Sequence, residues 1–184
     1  MELGVVSYDS VNGQYTLAAD KYSIYLLANR SATPVSPSQM QQRRTEREDV
    51  GLAAELEIVS FEQQRLGERF THRVCHTAVT NAAAGYDIES VTIGPQDQLY
   101  PRLIEVKCVS LEDYRFFWTA NEVATAQALG SWYYLYLLPS SGPGKLRIDM
   151  LRIIPDPQVA ILNCPEQWSV DDNVLECKIR SHLE

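Results

Sequence analysis

Cationic residues are scarce in this chain. Sixteen Lys and Arg stand against 24 Asp and Glu, a formal charge of −8. That balance weighs against a nucleic-acid partner, because phosphate binding relies on Lys and Arg. It does not exclude one, since a groove can be locally basic whatever the net charge. Long apolar runs are lacking too: the longest, Trp132 to Leu138, is seven residues, against ~20 for a membrane span. The opening Met1-Glu2-Leu3-Gly4 has neither the basic start nor the apolar stretch of a signal peptide. A soluble cytoplasmic protein without membrane contact is expected. The four cysteines, Cys75, Cys108, Cys164 and Cys177, form no C-x-x-C pair, and free thiols are expected. His72, Cys75 and His76 crowd together, but without a matching second pair they make weak support for zinc. No Gly-rich phosphate loop and no internal repeat is present, which leaves little room for a nucleotide-processing enzyme.

What is present is enough apolar material, 45%, for a core in a chain of one-domain length. Residues 1–30 read as a small β element: Val5 to Tyr8 and Gln14 to Ala18 flank Asn12-Gly13, whose tolerance of positive φ suits a two-residue turn. Tyr22 to Leu27 is a candidate third strand. Residues 31–44, with Pro34 and Pro37 among Ser, Thr and Gln, read as a linker. The core spans 45–154, and 155–184 form a C-terminal extension of little pattern. A helix is expected from about Thr45 to Leu66, ended by Gly67. Strands are expected over Arg73–Val79, Asp87–Ile93, Arg102–Val109 and Arg115–Trp118. A second helix, Ala120–Leu129, opens on the capping box Thr119-x-x-Glu122 and ends at Gly130. Trp132–Leu138, apolar without alternation, reads as a strand buried on both faces. Leu146–Ile154 could pair back at its edge. Helix, strands, helix, strand describes an α/β fold with a mixed sheet flanked by helices.

Three placements of charge conflict with a plain core. In Arg102-Leu-Ile-Glu-Val-Lys-Cys-Val109, strand alternation puts Glu105 and Lys107 on one face with Leu103 and Val109. In Gly85-Tyr-Asp-Ile88 an acid opens a strand, and it lies 18 positions before Glu105, enough for one hairpin. Neighbouring strands are ~4.8 Å apart, so the two carboxylates can converge. Glu55, at helical spacing, points with Leu52, Ile58, Val59 and Leu66, in the middle of an apolar stripe, with Glu62 on the same side. An acid there is unfavourable unless paired or bound to a cation. Its plain structural explanation is a pair with Lys107 or an arginine. For Glu105 and Lys107 it is a half-solvated salt bridge, and for Asp87 a turn cap. The clusters Arg43, Arg44, Arg47 and Arg65, Arg69, Arg73 are explained most simply as solvated positions.

Taken together, these residues suit phosphodiester hydrolysis. Mg²⁺ favours oxygen donors and takes one or two carboxylates plus waters and phosphate oxygens. Asp87 and Glu105 supply that pair, Lys107 can orient water or offset developing charge, and Glu55 can complete the metal's surroundings.

Asp87 followed by Glu105-Val-Lys107 resembles the D-x(n)-(D/E)-x-K signature of the PD-(D/E)XK nucleases, with Tyr86 where proline often stands. Gly51-x-x-x-Glu55, Gly85-Tyr-Asp-Ile88, Ile104-Glu-Val-Lys107, Phe117-x-Thr-x-Asn-Glu122 and the aromatic strand Trp132–Leu138 are, in that order, similar to one branch of it, the C-terminal domain of the plant NO VEIN protein and its bacterial counterparts. The resemblance covers about Gly51 to Leu138. It implies a restriction-endonuclease-like fold and an active-site set of Glu55, Asp87, Glu105 and Lys107. Glu55, Asp87 and Glu105 would lie around Mg²⁺, for which Mn²⁺ can substitute. It also implies a DNA substrate ahead of RNA, and an association with restriction and phage defence alongside a partner protein or a second copy. Glu122 is accounted for by its capping box, whereas Asn121, at the helix start, is a candidate phosphate contact. The rival expectation is a catalytically silent interaction module on the same fold, which the acidic balance favours.

Overall fold

The computed structural model describes residues 6–9, 14–17, 36–142, 144–171 and 176–179. The chain divides into two compact units, Met1–Arg44 and Thr45–Glu184. In the first, β1 (Val6–Asp9) and β2 (Gln14–Leu17) pair antiparallel from Val6↔Leu17 to Asp9↔Gln14. The expected Asn12-Gly13 turn and the candidate strand Tyr22–Leu27 lie outside the described residues.

Helix α1 (Pro37–Phe70) begins well before the expected Thr45 and takes in part of the expected linker. Local chemistry explains the early start. The Ser36 hydroxyl accepts from the Gln39 amide at 3.2 Å while the Gln39 side chain accepts from the Ser36 amide at 2.9 Å. That is a reciprocal cap, with Pro37 at the first helical position, where its missing N–H costs nothing. The helical path is interrupted at Gly67, whose φ of 65° is left-handed, so glycine acts where expected and a final turn follows it.

In the second unit come β3 (Cys75–His76), β4 (Ile88–Ile93), β5 (Leu99–Ser110), β6 (Phe116–Phe117), α2 (Ala120–Leu129), β7 (Tyr133–Ser140), β8 (Arg152–Pro155), β9 (Trp168–Asp171) and β10 (Glu176–Ile179). A five-stranded sheet runs β3-β4-β5-β7-β8. β5 and β7 pair in parallel through the α2 crossover, and the remaining pairs are antiparallel. The α/β fold with a mixed sheet and flanking helices is therefore present. β3 is much shorter than the expected Arg73–Val79, because from Thr77 the chain turns away from β4.

Alternation along the two central strands builds a core on each face. On one, Ile88, Ile104, Val106, Tyr136 and Leu138 pack with Ala54 and Ile58 of α1. On the other, Val109, Tyr133, Leu135 and Leu137 pack with Ala126 of α2. β7 is buried on both faces, as its unbroken apolar run implied. The segment after Pro155, expected to carry little pattern, supplies Ile161, Trp168 and Cys177 to that second core, and β6-β10-β9 form a second sheet. Phe116 meets Trp168 edge-to-face at 6.1 Å. This order comes from distant aromatic packing, which local periodicity does not record.

The face α1 buries overlaps the expected one at Ile58, Glu62 and Leu66 and departs from it at Leu52 and Glu55. Its buried positions are Ala54, Ile58, Glu62 and Leu66, while Leu52 is 47% exposed. Glu62, not Glu55, is the fully buried acid of the helix, because four hydrogen bonds from three residues satisfy it. Its carboxylate accepts from Arg65 at 2.6 and 2.9 Å, from Ser90 at 2.6 Å and from Tyr136 at 2.7 Å. Burial raises the carboxyl pKa, but these bonds outweigh it and hold the group below its ordinary value. Arg65 and Arg69 are accordingly not free cations: Arg65 binds Glu62, and Arg69 binds Asp97 at 2.5 Å. The side chain of Arg43 lies outside the described residues; Arg44 and Arg47 are exposed.

Candidate functional site

The site forms where β4 begins beside the middle of β5. Ile88 pairs with Ile104, so one step outward places Asp87 opposite Glu105. The Asp87 amide donates to the Ile104 carbonyl at 2.8 Å, and its side-chain Oδ2 accepts from the Val106 amide at 2.8 Å. The aspartate therefore faces the Glu-Val-Lys strand. Glu105, 5% exposed, bonds Lys107 Nζ at 2.7 Å. Neighbours on one strand face, they form the charged pair that the alternation implied.

Above them is a cleft of about 300 Å³ lined by Gly85, Tyr86, Asp87, Glu105, Asn121 and Glu122, among others. Its wall on one side is the segment after β3. There the Thr77 and Ala78 amides both donate to the Asp87 carbonyl, at 2.8 and 3.0 Å. Tyr133 Oη fixes the end of this segment by donating to the Gly85 carbonyl at 2.9 Å. Gly85 itself has φ +77°, and a Cβ there would lie 2.2 Å from Thr125 Oγ1 of α2. Only glycine permits this approach of helix to turn.

The opposite wall is the first turn of α2. The expected capping box is formed: Thr119 Oγ1 accepts from the Glu122 amide at 3.3 Å, and Glu122 Oε2 accepts from the Thr119 amide at 3.2 Å. The same Oε2 lies 2.6 Å from Lys107 Nζ. In the sequence Glu122 is both a position of the matching motif and a cap, and the cap accounts for it more simply. The bond to Lys107 was invisible because a capping box explains the residue completely from local spacing. Asn121 lines the cleft and makes a long 3.5 Å bond to the Ala83 carbonyl.

Glu55 belongs to another group. Its carboxylate is 2.5 Å from His76 Nε2 on β3, not paired with Lys107 or an arginine as expected. The reason is topological: α1 covers the face of Ile104 and Val106, whereas Glu105 and Lys107 point to the face of α2. Glu55 reaches the site only around the short β3 edge, where its charge is still felt by Asp87.

Asp87, Glu105 and Glu122 thus crowd around one ammonium, Glu55 acts on Asp87 from the strand edge, and electrostatics record the crowding. Burial, then the charges of Glu55 and Glu122, push Asp87 up to about 6 despite its bond from Val106 and the nearby Lys107. Burial pushes Glu105 well above the usual range even with Lys107 beside it, and Asp87 and Glu122 add to the shift. For Lys107 burial favours the neutral form, but Glu105 and Glu122 outweigh it and raise its pKa. Among the described residues, no group of three or more His, Cys, Asp and Glu side chains is placed to hold a metal ion. No described helix is long and apolar enough to cross a membrane.

Fold and site define an α/β domain with a buried acid–lysine cluster at the junction of its central strands. Residues 48–148 match the family model described as Protein NO VEIN, C-terminal, and the chain belongs to that family. No curated protein and no solved structure matches it.

Proposed function

We propose that this domain is a Mg²⁺-dependent phosphodiesterase, an endonuclease module acting on DNA rather than RNA. One observation carries the reading: Asp87 and Glu105, from two paired strands, line the same cleft, and Lys107 is 2.7 Å from Glu105. The donor set suits the ion. Both side chains offer hard oxygen ligands, and both are held towards the protonated state by burial and neighbouring carboxylates, Asp87 by Glu55 and Glu122 and Glu105 by Asp87 and Glu122, which a divalent cation would relieve. Two carboxylates suffice, because Mg²⁺ keeps most of its shell as water and substrate oxygens.

Bound between Asp87 and Glu105, Mg²⁺ would polarise the scissile phosphate and acidify an attacking water. Lys107 stays protonated and offsets negative charge building on the phosphate. The Val106 amide fixes the rotamer of Asp87, and Glu55, held by His76, adds negative potential from the strand edge. By resemblance, the fold belongs with the PD-(D/E)XK nucleases and the context is restriction or phage defence.

The test is plasmid nicking with Mg²⁺ or Mn²⁺. Asp87→Asn keeps an acceptor for the Val106 amide and should abolish cleavage. Cleavage that survives it would sink the assignment. The rival, a catalytically silent interaction module within a larger nucleic-acid-processing complex, is favoured by the charge of −8 and opposed by the intact acid–lysine set. Calorimetry with Mn²⁺ separates the two, since a wild-type domain that binds no cation cannot run this chemistry.

A further inference from the structure

Lys107 is the single ammonium in the cluster, yet it does not reach the cleft unaided. Its Nζ lies behind Glu105 and Glu122, bonded to Oε1 of the first at 2.7 Å and Oε2 of the second at 2.6 Å. Both carboxylates line the cleft. Glu105 is fixed by its strand. Glu122 is fixed by something independent of the sheet, the reciprocal bonds with Thr119 that start α2. One turn further along, Thr125 of α2 packs closely on Gly85. Lys107 and Glu122 side chains are only 16% and 14% exposed, so water competes weakly for either.

We infer that Glu122 is a positioning residue: it holds the Lys107 ammonium against Glu105, behind the two carboxylates that line the cleft, joining the first turn of α2 to the chemistry on β5. Two of the three ammonium N–H groups are taken by the two carboxylates, which orients the remaining one. A lysine on a flexible four-carbon stem has no such orientation of its own. As a catalytic contribution this rests on the nuclease reading; as a statement about Lys107 it does not.

One substitution separates capping from clamping. Glu122→Gln retains a side-chain oxygen for the Thr119 amide, since Glu and Gln both complete a capping box, but it carries no charge for Lys107. Glu122→Ala loses both functions. The first measurement is acylation of Lys107 by an amine-reactive reagent, read by peptide mass spectrometry against the exposed Lys145. Glu122→Gln should raise Lys107 labelling several-fold relative to Lys145 at an unchanged melting temperature, and Glu122→Ala should raise labelling and lower the melting temperature. Unchanged labelling in Glu122→Gln overturns the clamp. The second measurement is turnover: Glu122→Gln should lower kcat by about ten- to a hundredfold with KM and Mn²⁺ affinity unchanged. Wild-type turnover would leave Glu122 as a cap only, and faster turnover would make it a brake. Both overturn the positioning role. If the wild-type domain neither binds Mn²⁺ nor cleaves, the nuclease reading falls, while the labelling result still decides whether Glu122 holds Lys107.

Discussion

Asp87 Oδ2 and the Val106 amide are joined by a 2.8 Å hydrogen bond, so the backbone of the strand carrying Glu105 and Lys107 also sets the rotamer of the acid opposite. The aspartate is held in place at an electrostatic cost, and that cost is measurable.

In cation-free buffer Asp87→Asn should stabilise the domain at pH 7. The folded pKa of Asp87 is raised from 3.8 to about 6, so folding binds a proton between those values and stability falls as pH rises through that window. The amide escapes this penalty, up to about 3 kcal/mol at about 1.4 kcal/mol per unit. Urea unfolding should show no advantage near pH 3, a growing one from pH 4 to 6, and a constant one above. Adding Mn²⁺ should stabilise the wild type and leave the variant unmoved. An advantage independent of pH would disprove the assignment to Asp87.

Lys107→Met should behave in the opposite sense. It leaves the buried Glu105 and the partly buried Glu122 without their counter-charge, a change that costs about 3–5 kcal/mol in comparable buried pairs. Because Glu105 protonates well above the usual carboxylate range once acidified, the deficit should shrink towards low pH. A deficit that is flat from pH 8 to 5 would mean the pair is solvated.

Gly85→Ala tests the seat of α2. The new methyl would meet Thr125 Oγ1 at 2.2 Å on a backbone with φ +77°. Left-handed strain contributes about 1–2 kcal/mol and overpacking about 1–3 kcal/mol more. Adding Thr125→Ala should recover the overpacking part only, as a double-mutant cycle by thermal melting would show. Full recovery would mean the backbone relaxes.

Glu62→Ala should be far more damaging than Tyr136→Phe. The first strips the partner from Arg65, Ser90 and Tyr136, of the order of 3–5 kcal/mol; the second loses one bond, about 1 kcal/mol. Glu62 has a folded pKa below its ordinary 4.5. Its stabilisation is therefore complete above that pH and is lost as pH falls through the folded value. Acid titration of Glu62→Gln should lack this part of the transition.

Much of the core was legible because it is written in local period and spacing. The capping box at Thr119 and Glu122, the doubly buried Trp132–Leu138 run and the alternation of Glu105 with Lys107 all depend on neighbours within a few residues. The partners of those residues depend on which helix covers which face, and that is not local. Hence Glu55 was expected beside Lys107 and instead pairs with His76. Glu62 lay on the expected side of α1, but its three hydrogen-bonding partners come from one nearby residue and two distant strands. The same limit hid β9 and β10, whose order rests on Phe116 and other far-off aromatics.

β3 stops after two residues, at His76. Had the β3–β4 hairpin zipped further, past Thr77 and Asp87, residues 77–86 would have paired with one another, and the loop that now walls the cleft with Ala78, Ala82 and Gly85 would have been a ribbon. The early departure of the chain turns a would-be strand into the rim of an opening. The length of such a hairpin is thus a way to reshape the entrance of a reactive centre without altering its acids.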